Sequence, residues 1–181
     1  PYRRQRQMCI RDRLYTAQLP DKGPFVIRYP RGRGVLADWH CELEEVKVGT
    51  GRKLHDGKDV AVLSFGPVGN NVEEAIEMME TSTPQLSIAH YDMRFAKPLD
   101  TEILKDVAQQ FDRIITIEDG AREGGFGSAV LEWLEDNGYR KNVVRLGLPD
   151  HFVEHGTVAE LQHIVGIDAE GIIDAVNDII K

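Results

Sequence analysis

Three arginines close an apolar run in Phe25-Val-Ile-Arg28-Tyr-Pro-Arg31-Gly-Arg33-Gly34. Guanidiniums spaced by Pro and Gly present planar forks on a stiff backbone, a geometry that grips a phosphate through paired charge-assisted hydrogen bonds. A solvated basic loop and an ion pair to an acidic neighbouring domain fit the same residues. Further on, His151-Phe-Val-Glu154-His155 spells H-x-x-E-H, a zinc-hydrolase pattern. That chemistry needs both imidazoles one turn apart on a helix, with the carboxylate over a metal-bound water. Pro149 stands just before the motif, Gly156 just after it, and Thr157 opens another helix. The spacing therefore predicts loop histidines, and no third ligand is signalled.

Glu118-Asp-Gly-Ala-Arg-Glu-Gly124-Gly125-Phe-Gly127 follows a strand pattern and opens a helix, where N–H groups and the helix dipole favour an anion. Its glycine spacing is neither G-x-G-x-x-G nor the G-x-x-x-x-G-K phosphate loop. The same glycines permit close helix–sheet packing or a subunit contact. Asp119-Gly120 with Asn142 half-matches the G-D-G…N magnesium–diphosphate signature, but Glu118 stands where its leading glycine belongs. No cofactor site is assigned there. No Ser/His/Asp or Cys/His arrangement is signalled, because order along the chain is not proximity.

These groups must be positioned by an alternation of short apolar runs and helical stripes. Val60–Phe65 reads as a strand ending at Gly66-Pro67, and Asn70 and Asn71 are placed to cap a helix striped by Val72, Ala75, Ile76 and Met79. Leu86–Tyr91 is the next strand. Asp100 caps a helix carrying Ile103, Leu104, Val107, Ala108 and Phe111. Ile114–Ile117 and Val143–Leu146 are strands around a helix over Gly124–Gly138, striped by Phe126, Ala129, Val130, Trp133 and Leu134. Thr157 with Glu160 forms a capping box, and Asp168 caps a last helix with Ile172, Ile173, Val176 and Ile180. Glu44–Arg52, alternating around Val46 and Val48, is expected as an edge strand, and Phe25–Tyr29 as another strand. Both Trp residues and the pair Met78-Met79 read as core. Strands alternating with helices predict a three-layer α/β/α sandwich with a mostly parallel sheet.

The chain has 181 residues and a net charge of −8 from 22 Lys/Arg and 30 Asp/Glu. Residues 1–34 hold nine Lys/Arg and two Asp, net +7, whereas residues 35–181 are net −15. An acidic folded part is a poor nucleic-acid surface, so no nucleic-acid partner is expected. No apolar run reaches a membrane span, and the basic start lacks a secretory apolar stretch, so a cytoplasmic protein without membrane contact is expected. Cys9 and Cys41 are too few for a disulfide framework or a thiolate metal site.

Four segments together resemble the 1-deoxy-D-xylulose-5-phosphate synthases of the transketolase superfamily: GPFVIRYPRGRG (Gly23–Gly34), YDMRFAKPLD (Tyr91–Asp100), TIEDGAREGGFGSAV (Thr116–Val130) and LGLPDHFVEHGT (Leu146–Thr157). The resemblance runs from Leu14 to Lys181 in order. DMRF-x-KPLD alone also fits transketolases and the small subunit of pyruvate dehydrogenase; RYPRG with GLPD-x-F-x-x-HGT points to the synthases. It implies a C-terminal fragment: residues 1–13 a non-native or assembly scar, 14–34 the end of the pyrimidine-binding domain, 35–181 a transketolase-type C-terminal domain. The parent enzyme would use thiamine diphosphate and Mg2+ to condense pyruvate with D-glyceraldehyde 3-phosphate, as a homodimer. By the same resemblance Arg31, in the YPRG turn, binds the phosphate of glyceraldehyde phosphate. No catalytic, cofactor-binding or metal residue is carried over to this chain, which alone is expected to be inactive. The alternatives are a stand-alone regulatory or anion-binding α/β module, and the C-terminal domain of another transketolase-superfamily enzyme.

Overall fold

The structure is a computed structural model, and it describes residues 10–29 and 42–181. Arg31, Arg33, Trp39, Cys9, Cys41 and the expected boundary at 34/35 lie outside the described residues. The chain divides between Val48 and Gly49 into two compact units.

In the first unit residues 10–16 are helical (α1). Thr16 Oγ1 donates to Asp12 O at 2.6 Å and accepts from Val46 N–H at 2.8 Å, while Asp12 Oδ1 accepts from Glu44 N–H at 3.2 Å. Buried Asp12 and Thr16 thus replace a strand partner for the Glu44–Val46 backbone. Residues 42–47 are therefore not the expected edge strand, and Val48-Gly49 turns, with Gly49 at φ +75°. Residues 22–29 likewise carry no strand, so the strand expected at Phe25–Tyr29 is not found.

The second unit holds strands β1 (Arg52–His55), β2 (Val60–Phe65), β3 (Ile88–Asp92), β4 (Arg113–Ala121) and β5 (Asn142–Leu148). Its helices are α2 (Gly69–Ser82), α3 (Thr101–Gln110), α4 (Phe126–Asp136), α5 (Val158–Ile164) and α6 (Ala169–Ile179). The sheet order is β1-β3-β2-β4-β5, parallel except for β1, which runs antiparallel to β3. Val60 and Val62 of β2 face α2 and α6, and Ala61 and Leu63 face α3 and α4. A parallel strand buried on both faces has no polar side, which is why its sequence reads as a continuous apolar run. The three-layer α/β/α sandwich is thus observed.

Three local expectations change. The edge strand is β1 at Arg52–His55, in place of the expected Glu44–Arg52. Helix α2 begins at Gly69 behind Val68, with no side-chain cap. Asn71 instead donates from Nδ2 to Ile167 O at 2.8 Å and to Gln162 Oε1 at 3.3 Å, holding the α5–α6 turn against α2. Met79 is core but Met78 is 44% exposed, since neighbours on a helix point about 100° apart.

Candidate functional site

The crevice at the carboxyl ends of β2 and β4 is the topological switch point of this sheet, where open α/β proteins bind ligands. Here the start of α4 is already occupied by a carboxylate of the chain. Glu118, 5% exposed at the end of β4, points its carboxylate at the start of α4. Oε2 accepts from Phe126 N–H and Oε1 from Gly127 N–H, both at 2.9 Å. The helix dipole is thereby matched by the protein's own anion. The glycines serve this contact. A Cβ on Gly125 would stand 2.0 Å from Ala121 O and 2.5 Å from Glu118 Oε2, and one on Gly127 2.5 Å from Thr116 Oγ1. Only Gly124, at φ +72°, is required by its backbone angle. Around it Arg145 Nη1 donates to Arg122 O and Ser128 Oγ, and Gly124 N–H donates to Ser128 Oγ.

Asp119 and Asn142 do not form one cation site. Asn142 pairs with Arg113 at the start of β4, and at about 3.3 Å per residue the six-residue offset to Asp119 separates them by roughly 20 Å. The half-matched diphosphate signature therefore falls at opposite ends of the strands. Thiamine diphosphate and its magnesium do not fit these residues.

The H-x-x-E-H segment is an irregular loop, as the flanking Pro and Gly predict. Among the described residues, His163, Asp168 and Glu170 bring possible ligand atoms within 4.8 Å of one another. Asp168 is already committed: Oδ1 accepts from Gly171 N–H at 2.9 Å as the cap of α6, and Oδ2 meets His163 Nδ1 at 2.7 Å. The hydrogen bond from Asp168, then its charge, raises the His163 pKa above the ordinary 6.5. This group is a clasp between α5 and α6.

One constellation was not legible in advance. His90 Nδ1 hydrogen-bonds Glu73 Oε1, and Nε2 meets Ser64 Oγ at 2.8 Å. The order Ser–imidazole–carboxylate is that of a nucleophilic triad, yet Ser64 and His90 are fully buried. A hydroxyl no substrate can reach is structural; the three tie α2 to β2 and β3. Its signal was a polar residue inside each of two strand runs, Ser64 in VAVLSF and His90 in IAHYD.

The DMRF-x-KPLD segment is a second junction. Asp92 accepts from Arg52 Nε and Nη2 at 3.1 and 2.9 Å. Arg94, at φ +52°, donates to Thr50 O, Thr50 Oγ1 and Gly51 O. Asp100 caps α3 with Oδ1 and accepts from Gly51 N–H with Oδ2 at 2.6 Å. Both carboxylates and the arginine fix the approach to β1.

Residues 49–172 match the family model described as transketolase, C-terminal domain. The chain belongs to this family. Its transketolase C-terminal fold is also seen in a solved structure described as a split gene transketolase, an inactive beta4 tetramer, with a TM-score of 0.69 and 32% identity. That match covers 75% of this chain and 44% of the other. The chain is 54% identical over 172 residues to 1-deoxy-D-xylulose-5-phosphate synthase of Phocaeicola vulgatus, covering 95% of this chain and 27% of the relative. It is 59% identical over 163 residues to the synthase of that name from Bacteroides thetaiotaomicron, covering 90% and 25%. The chain thus spans about a quarter of the length of these curated relatives. No helix among the described residues is long and apolar enough to cross a membrane.

Proposed function

We propose that this chain serves as the C-terminal domain of a 1-deoxy-D-xylulose-5-phosphate synthase. The enzyme condenses pyruvate with D-glyceraldehyde 3-phosphate, forming 1-deoxy-D-xylulose 5-phosphate and releasing CO2. The observation that carries this reading is 54–59% identity over 90–95% of the chain to synthases of that name. Thiamine diphosphate with Mg2+ would supply the decarboxylating chemistry, held by portions of the enzyme other than this domain. The α4 start occupied by Glu118 fits that division of labour and weighs against a stand-alone anion-binding module there. Residues 14–34 would end the pyrimidine-binding domain and 35–181 form the C-terminal domain; buried Asp12, which accepts from Glu44 N–H, weighs against a non-native or assembly scar that reaches residue 13. The enzyme would be a cytoplasmic homodimer, the domain contributing to packing and assembly. The split-gene transketolase, described as an inactive beta4 tetramer, is in keeping with a domain that assembles without catalysing.

Within this reading Arg31 grips the phosphate of glyceraldehyde phosphate. The test is a chimera in which this chain replaces the matching quarter of the Phocaeicola vulgatus synthase. A charge-assisted contact of about 1.5–3 kcal/mol predicts that Arg31→Ala raises KM for glyceraldehyde phosphate roughly tenfold to a hundredfold. KM for pyruvate should stay near its starting value. Equal effects on both substrates, or none, would remove Arg31 from the phosphate site.

A further inference from the structure

Helix α4 ends on the sequence Asp136-Asn137-Gly138-Tyr139. Asn137 is its C-cap, at φ −98° and ψ 9°, and Gly138 turns left-handed at φ +74°, the glycine stop that helices favour. Gly138 N–H donates to Glu135 O at 3.0 Å and Tyr139 N–H to Leu134 O at 2.9 Å, and the Tyr139 ring stacks on Trp133 at 5.9 Å. Asn137 adds its side chain, with Nδ2 donating to Trp133 O at 2.8 Å. Both Asn137 and Gly138 are exposed. An asparagine followed by glycine is also a reactive pair. Its carboxamide carbon can close a five-membered ring with the next backbone nitrogen, and the glycine has no Cβ to hinder the approach. This is the one Asn-Gly step in the sequence; Asn70, Asn71, Asn142 and Asn177 are followed by Asn71, Val72, Val143 and Asp178.

We infer that Asn137 is a site of spontaneous deamidation, gated by the C-terminal cap of α4. In this reaction Gly138 N attacks Asn137 Cγ and gives up its proton to solvent. The Cγ–Nδ2 bond breaks, and Nδ2 takes a proton from solvent and leaves as ammonia. Water then opens the resulting succinimide at either carbonyl, leaving aspartate or isoaspartate. In the closed cap both reacting nitrogens are held elsewhere, the nucleophile at Glu135 O and the leaving group at Trp133 O. The turn must open before the ring can close, and helix ends open at far lower cost than the core. The product does not restore the cap. Its carboxylate has no donor for Trp133 O, and it adds negative charge at a helix end whose dipole disfavours it. Isoaspartate also inserts a methylene into the main chain, which moves the Gly138 and Tyr139 N–H groups out of register with their carbonyls. The site is independent of the synthase reading.

The test is peptide mapping by mass spectrometry, with an isoaspartyl methyltransferase assay, on the chain kept at mildly alkaline pH either folded or in urea. The mass gain of amide-to-acid conversion is expected at Asn137 in both samples, slower in the folded chain by roughly tenfold to a hundredfold. Tyr139→Ala removes the stacking on Trp133 and should speed conversion of the folded chain severalfold, with the rate in urea unchanged. Equal rates folded and in urea would overturn the gate. A folded chain whose Asn137 stays intact after the unfolded chain is fully converted would overturn the site. Asn137→Asp carries the product's charge, and it predicts roughly tenfold faster hydrogen exchange at the Gly138 and Tyr139 amides than in the parent chain. Unchanged exchange at those two amides would overturn the link between conversion and loss of the cap.

Discussion

Glycines behind a strand advertise free N–H groups, and in this protein Glu118 takes them. The run of glycines is legible in sequence, but its purpose is not, because a carboxylate eight residues upstream could point to solvent or into the helix. The pairs Glu118–Phe126 and Glu118–Gly127 decide it. Glu118→Gln removes the charge and turns one acceptor into a donor facing an N–H. The expected cost is about 1.5–3 kcal/mol, the usual range for hydrogen bonds to a charged group. Gly127→Ala forces a Cβ against Thr116 Oγ1 at 2.5 Å, and overpacking of this kind costs about 1–3 kcal/mol. Urea unfolding midpoints check both, and unchanged midpoints would show that α4 does not depend on this close approach. Ser64, Glu73 and His90 were illegible for the opposite reason. They stand 9, 17 and 26 positions from one another in sequence, and only the packing of α2 on the sheet brings them together.

Elements announced by local chemistry are found where they were expected. Asp100, Thr157 and Asp168 each cap the predicted helix, and Thr157–Glu160 closes the capping box. Elements that depend on a distant partner are not, because a strand exists only through its ladder. Val46 alternates like an edge strand, yet its N–H goes to Thr16 Oγ1. The caps also set a pH window for α5. Bonding to the Thr157 backbone and then its side chain lowers the Glu160 pKa from 4.5, so that contribution is complete above 4.5 and lost as pH falls through the lowered value. Bonding to Asp168 raises the His163 pKa from 6.5, so its contribution is complete below 6.5 and lost as pH rises through the raised value. Helix α5 is therefore best supported between 4.5 and 6.5. Asp168→Asn should lower the His163 titration midpoint read by NMR; an unmoved midpoint would mean the clasp does not form.

The whole molecule pairs a finished core with an unfinished surface. Both faces of the sheet are covered, the starts of α3, α4 and α6 are held by Asp100, Glu118 and Asp168, and Ser64, His90 and Glu118 are bonded within the domain. Phe152, Val158 and Ile164 remain exposed, as do Val26 and Tyr29 of the first unit. The proposed reading is the C-terminal domain of a 1-deoxy-D-xylulose-5-phosphate synthase. Steady-state formation of 1-deoxy-D-xylulose 5-phosphate by the chimera tests this most directly. If this chain is a synthase C-terminal domain, the chimera turns over pyruvate and glyceraldehyde phosphate at a rate within about tenfold of its parent, a barrier change of no more than about 1.4 kcal/mol. A chimera that folds and binds thiamine diphosphate but makes no product would contradict the assignment.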